Sequence, residues 1–163
     1  MLRLTLAWLH LVALGIGLWA VFARGEALKA AARELPATDA LRRAFKADTH
    51  WGVAAALWLA TGLWRYLGST EKSTDYYNSN HIFLTKMALF VIVIGLEIGP
   101  MMTLIRWRRV LGGAGSAPNA AGRDVIGSQR ARRMATISYV EGAIVTVMIL
   151  TAVAMARGYG VRS

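Results

Sequence analysis

The chain contains no cysteine, and only nine of its 163 residues are acidic. Without cysteine there is no disulfide, no thiolate metal site, no iron–sulfur cluster and no Cys nucleophile, and the redox compartment stays open. The patterns HExxH, GxSxG and GxxxxGK[ST] are also missing. Nothing therefore points to a zinc protease, a hydrolase nucleophile or a phosphate loop. Gly112, Gly113 and Gly115 lack a following Lys-Ser/Thr and come after a long apolar stretch, so they read as linker. No internal repeat is evident. The scarcity of acid leaves a net charge of +10 and a pI near 10.9. A basic chain suggests nucleic acid, but here Lys and Arg flank apolar blocks. Once those blocks are removed no basic soluble domain is left, so nucleic acid is not an expected partner.

What the chain does have is apolar sequence, 56% of residues with a mean hydropathy of +0.43. It comes in blocks and not in the short stripes of a soluble helix. The third block, within HIFLTKMALFVIVIGLEIGPMMTLIRWRR, holds only Lys86 and Glu97 as ionisable residues between Ile82 and Ile105. That is about 36 Å of helix, enough to cross a hydrocarbon core of about 30 Å. Four spans are expected, at about 4–23, 51–67, 82–105 and 137–156. The first lacks charge but carries His10 and two Trp, and is read as a retained helix and not a cleaved signal peptide. The fold class is thus all-α, an integral membrane four-helix bundle forming one domain over 1–163.

Residues 24–49 form a charged connection, expected as a cytoplasmic helical segment. Its Ala-rich first part favours helix, Pro36 interrupts it, and Thr38 or Asp39 can cap a second helix. No strong breaker separates that second helix from span 2, so the two read as one long helix. Span 2 is rich in small residues (Gly52, Ala54, Ala55, Ala56, Ala60, Gly62) and is expected to lie close to a neighbour. The short polar loop 68–80 makes spans 2 and 3 adjacent and antiparallel. Pro100 leaves the carbonyl of Leu96 without its helical donor and predicts a bend. Residues 110–127 read as a flexible linker. Lys and Arg number 13 in the two long connections and five on the opposite side. That bias places both connections in the cytoplasm and both termini outside, in a bacterial inner membrane.

The stretches ADTHWGVAAALWLATGLWRYL and YYNSNHIFLTKMALF…GLEIGPMMTLIRWRR resemble a family of small bacterial four-helix predicted membrane proteins of unknown function. The Asn/Phe/Lys opening of span 3 and its Pro…Arg-Trp-Arg close carry the resemblance. It implies a four-helix inner-membrane protein and supplies no activity.

Five ionisable residues stand out within or near the spans. His10 and His81 begin spans that both start outside. If Trp8 and Tyr76/Tyr77 mark one interface, the two imidazoles share a depth and could hold haem b, another bound pigment or a metal ion. Set by the first apolar residues instead, His10 lies about 10 Å deeper and shared ligation fails. The plainer reading is an interfacial His on each helix, as for His50 at the start of span 2. Glu97 and Glu141 are costly in hydrocarbon, at about 2.5–3.5 kcal/mol each unless paired or protonated. They read as interhelical hydrogen-bonding carboxyls, or as a proton path or a polar contact to a quinone or cofactor. Lys86 can snorkel to the outer interface. The cluster Arg106, Arg108, Arg109, Arg130, Arg132 and Arg133 signals topology and should attract anionic lipid. Together these features lead to a non-catalytic accessory or scaffolding subunit, packing against other membrane proteins in a respiratory or photosynthetic complex. A haem-binding electron carrier using His10 and His81 is the alternative, and a small transporter or proton pathway the third reading.

Overall fold

The computed structural model describes residues 1–33, 38–68, 73–112 and 127–160, and among these every regular element is helical. In chain order they are α1 (Leu2–Ala31), α2 (Thr38–Leu67), α3 (Thr74–Ser79), α4 (His81–Gly112) and α5 (Ser128–Ala156). The α1, α4 and α5 helices are each long and apolar enough to cross a membrane. Their 29 to 32 residues correspond to roughly 45 Å, well beyond the hydrocarbon thickness. The chain is therefore a multi-pass membrane protein. The α2 helix is as long, at 30 residues, but is not among the three. Its apolar part, 51–67, is short and diluted by three Trp and Arg65.

The charged stretch 24–49 is not a separate segment. Its first part continues α1 to Ala31 and its second part begins α2 at Thr38, which then runs unbroken into the apolar half as expected. Pro36 lies outside the described residues, as do 113–126 of the expected linker. The reason for the extension is the alanine in both parts. Ala27, Ala31, Ala40 and Ala44 are buried together, so α1 and α2 approach closely. Leu28, Leu41, Leu104 and Trp107 fill the space with Ala131, Met134 and Ala135 from α5. Trp107 is therefore core and not the interfacial anchor that its basic neighbours suggest; an end packed with alanine needs one large group to fill it.

The long helices run antiparallel in sequence, because contacts on α1 rise as those on α2 and α5 fall. Gly17 faces Trp51 and Ala54, and Gly62 faces His10. Phe22 lies against Gly142, where an added Cβ would meet the ring at 2.7 Å. Main-chain packing is closest between α1 and α2, α1 and α5, and α4 and α5. The α2 and α4 helices are antiparallel as the short loop requires, but their backbones stay apart. Aromatic rings span the gap: Trp58 meets Phe90 at 5.7 Å and Tyr66 stacks on Phe83 at 5.6 Å. Of the small residues on α2, Ala54 is buried against α1, whereas Gly52, Ala56 and Ala60 face outward. The α4 helix passes through Pro100, fully buried, without ending there.

The end of the bundle that holds the start of α1 and the end of α5 is tied by short-range bonds. Ser73 caps α3 by accepting from the Tyr76 amide at 3.3 Å. Buried Asn80 caps α4, its Oδ1 accepting from the amides of Ile82 and Phe83. Its Nδ2 donates to the Tyr159 carbonyl and the His81 amide donates to Gly160. The turn after α5 is thus fastened to the start of α4. Gly160 has φ +87° and sits against Asn80 and Ile82, a place for glycine alone.

Candidate functional site

Five side chains from four helices converge where the alanine-packed end meets the apolar middle. Arg24, on α1 and 0% exposed, is the hub. Its Nε donates to Ser138 Oγ at 3.0 Å. Its Nη1 donates to Asp48 Oδ1 at 3.0 Å and to Glu97 Oε1 at 2.7 Å. Its Nη2 donates to Glu97 Oε2 at 2.8 Å and to Glu141 Oε2 at 2.6 Å. A guanidinium has five N–H donors, and all five are used. The Glu97 pair is bidentate, the strongest and most directional form of the contact. Arg108 continues the network, donating to Asp48 Oδ2 at 3.0 Å, the Phe45 carbonyl at 2.6 Å and Thr49 Oγ1 at 3.2 Å. Asp48 precedes the apolar half of α2. Burial pushes its carboxyl above the usual range, Arg24 and Arg108 oppose the rise, and Glu97 adds to it.

Two cations here face three carboxylates, so full ionisation leaves one negative charge. Glu141 Oε1 is buried and has no hydrogen-bond partner among the described residues. The arrangement can hold the helices together and can carry a proton on that oxygen. Ala13, Val21, Trp51, Trp58, Val93, Val145 and Met148 form a second apolar core beyond it. A proton path through Glu97 and Glu141 would have to cross that layer.

Beyond the layer lies a cavity of about 740 Å³ between α1, α2, α4 and α5. His10 lines it, and both of its ring nitrogens are engaged. Nε2 accepts from Trp58 Nε1 at 2.8 Å, and Nδ1 lies 3.0 Å from Thr61 Oγ1. Thr61 also donates to the Leu57 carbonyl at 2.7 Å, which leaves its oxygen as the acceptor and the proton on His10 Nδ1. His81 is exposed and does not line the cavity, so the two imidazoles are not brought together there. Among the described residues no cluster of His, Asp and Glu could hold a metal ion. His50 bonds its own helix, Nδ1 to the Lys46 carbonyl at 2.7 Å. Lys86 lines the cavity, half-buried. Arg106, Arg109, Arg130, Arg132 and Arg133 are exposed, whereas Arg108 turns inward to Asp48 and lies over the Phe45 ring at 5.3 Å.

Sequence reasoning singled out Glu97 and Glu141 but missed Arg24, Asp48 and Ser138. Arg24 reads as one more topology charge because it directly follows span 1. The signal for it was the demand itself. Two carboxylates at one depth need a cation at that depth, and Arg24 is the basic residue nearest the end of an uncharged span.

The chain matches, over residues 2–160, the model of a family described as predicted membrane protein DUF2214, and it belongs to that family. No curated protein and no solved structure matches it.

Proposed function

We propose that this member of the DUF2214 family is a non-catalytic accessory or scaffolding subunit of the bacterial inner membrane, a four-helix bundle that packs against other membrane proteins in a respiratory or photosynthetic complex. The observation that carries the reading is the saturation of Arg24. A guanidinium whose five donors are all taken by side chains of α2, α4 and α5 is a clasp, and a clasp of this kind favours one fixed shape over turnover. Large apolar side chains on the outer faces support packing against lipid or protein; Trp8, Trp19 and Trp64 are 58–61% exposed.

In this reading α2 is the fourth span. Along 38–50 its outward residues are Asp39, Arg42, Arg43 and Lys46, and along 51–67 they are Val53, Leu57, Leu59, Leu63 and Trp64. The switch supports a helix that leaves water at about Trp51 and enters lipid. Both termini then lie outside the cytoplasm. The five exposed arginines at the ends of α4 and α5 lie on the cytoplasmic side and contact anionic lipid.

Isolation from native membranes in mild detergent tests the function. A membrane partner in fixed stoichiometry is the expected result. A monodisperse protein without a partner at native expression defeats the subunit reading, and a reduced-minus-oxidised haem b band lost in His10→Ala or His81→Ala replaces it with an electron carrier. Terminal tags found on opposite faces of the membrane would remove α2 as a span.

A further inference from the structure

The cluster around Arg24 is short of one donor and one positive charge. Arg24 and Arg108 face Asp48, Glu97 and Glu141. The next charges along α1, Glu26 and Lys29, meet Tyr139 instead, and Lys46, Arg106 and Arg133 on the other helices are exposed. Of the three carboxyl side chains Glu141 is the most deeply buried, at 0% exposed against 13% for Asp48 and 21% for Glu97. Its Oε2 accepts from Arg24, and its Oε1 has no partner among the described residues. No donor of the hub is left to serve that oxygen. The five N–H groups of Arg24 are spent, and the Ser138 hydroxyl, which accepts from Arg24, donates its own proton to the Met134 carbonyl at 3.1 Å.

The geometry of the two glutamates supplies the missing donor. The carboxyl groups of Glu97 and Glu141 lie within hydrogen-bond reach of each other. An ionised carboxylate only accepts, so two of them at that separation repel and cannot bond. One proton between them turns the contact into a hydrogen bond and brings two cations and three carboxyls to zero net charge. The surroundings favour this outcome. Val93 and Val145 stand one turn from Glu97 and Glu141 on the same helix faces, and both belong to the apolar core. On the other side the network runs through Asp48 to Arg108 and the exposed Thr49 hydroxyl, a polar way in from the basic end.

We propose that the cluster is a binding site for a single proton, held on Glu141, shared with Glu97 and present at neutral pH. With the proton in place, α4 and α5 are joined through the pair. Without it the same two groups press these helices apart. The site does not depend on the subunit reading above, which concerns what the outer faces pack against.

Infrared spectroscopy of the full chain tests this, in dodecylmaltoside, a detergent without a carbonyl. The measurement is made at neutral pH, where a free glutamate with a pKa of about 4.3 is ionised. The parent should show the C=O stretch of a protonated carboxylic acid, shifted on exchange into D2O and equivalent to about one carboxyl per chain. Glu141→Gln should abolish the band and leave Glu97 paired with Arg24. Glu97→Gln should abolish it as well, because the amide put in its place donates to Glu141. Glu26→Gln, outside the cluster, should leave it unchanged. Should Glu97→Gln fail to fold, Glu97→Asp replaces it. Its shorter side chain draws the carboxyl away from Glu141, and the band should move toward the position of an acid without a hydrogen bond. A parent without the band, or a band that survives Glu141→Gln, overturns the proposal. A band lost in Glu141→Gln but untouched by the change at Glu97 overturns the sharing, since the proton then belongs to Glu141 alone.

Discussion

At the basic end, Ala27, Ala31, Ala40 and Ala44 let helices touch, and one guanidinium ties four of them with five hydrogen bonds. At the opposite end, Trp58, Phe90, Tyr66 and Phe83 hold α2 and α4 apart around about 740 Å³ of space. Both regions hold cations. In the first, Arg24 and Arg108 meet carboxylates; in the second, half-buried Lys86 and Arg65 stand in the wall of the cavity. Small residues with a saturated ionic network produce a closed, stiff joint. Bulky rings produce a hollow. The same four long helices thus carry a lock at one end and a cavity at the other.

The sharpest way to break this comparison is Arg24→Leu. It removes every donor at once and leaves Asp48, Glu97 and Glu141 facing one another. Loss of one side of a buried ion pair costs about 3–5 kcal/mol. We expect Arg24→Leu to fail to accumulate, or to unfold at much lower denaturant than the parent in a detergent unfolding titration. Arg24→Lys should recover little, because one ammonium has three donors and cannot make the bidentate pair with Glu97. A parent-like midpoint for Arg24→Leu would show that the clasp holds nothing.

The carboxylates sharpen the same point. Glu97 accepts two bonds from Arg24 and Glu141 accepts one, with Oε1 unpartnered. Glu97→Gln should therefore cost more, about 2–3 kcal/mol, than Glu141→Gln at about 1 kcal/mol. The two midpoints measured side by side decide it; a reversed order would mean that Glu141, and not Glu97, anchors the hub.

Much of this architecture is legible in the sequence. Apolar blocks and basic flanks announce membrane helices, because lipid imposes length and charge rules on a chain with few other constraints. The family resemblance rests on the same blocks. The unbroken α2 follows from the absence of a breaker between Asp39 and Trp51. Glu97 and Glu141 are conspicuous because a carboxylate in hydrocarbon demands an explanation. Arg24 is not, since an Arg after a span has an ordinary use at the interface, and nothing local distinguishes one that turns inward. Trp107 misleads for the same reason. The 24–49 stretch looks like a surface connection because its alanines are read for helix propensity and not for the close helix packing they permit. The cavity could not be read at all. It arises from ring-to-ring contacts between α2 and α4, which depend on the rotation of both helices about their axes.

The close approach of α1 to α5 tests whether the joint extends past its ions. A Cβ on Gly142 would stand 2.7 Å from the tip of the Phe22 ring. Phe22 is 39% exposed, so its ring can swing toward lipid and relieve part of the clash. Gly142→Ala should then cost about 1 kcal/mol, at the low end of the range for overpacking. Phe22→Leu in the same chain should recover most of it. A double variant as unstable as Gly142→Ala alone would place the strain elsewhere than in that contact.

The smallest effect is expected at the cavity end, where Tyr66→Phe removes one hydroxyl and keeps the ring. The lost bond to Asn78 Oδ1 is exposed, so water replaces it, and the cost should be about 0.5 kcal/mol. The stack on Phe83 and the contact with Tyr77 at 5.9 Å remain, and these rings, not the hydroxyl, keep α2 and α4 apart. The cavity should survive this change and shrink in Tyr66→Ala, where nothing fills the gap and α2 can settle toward α4. Distances between spin labels at exposed Leu63 and Leu84, one on each helix, distinguish the two cases. An unchanged separation in Tyr66→Ala would mean that the gap is held by the connection through α3 and not by the rings.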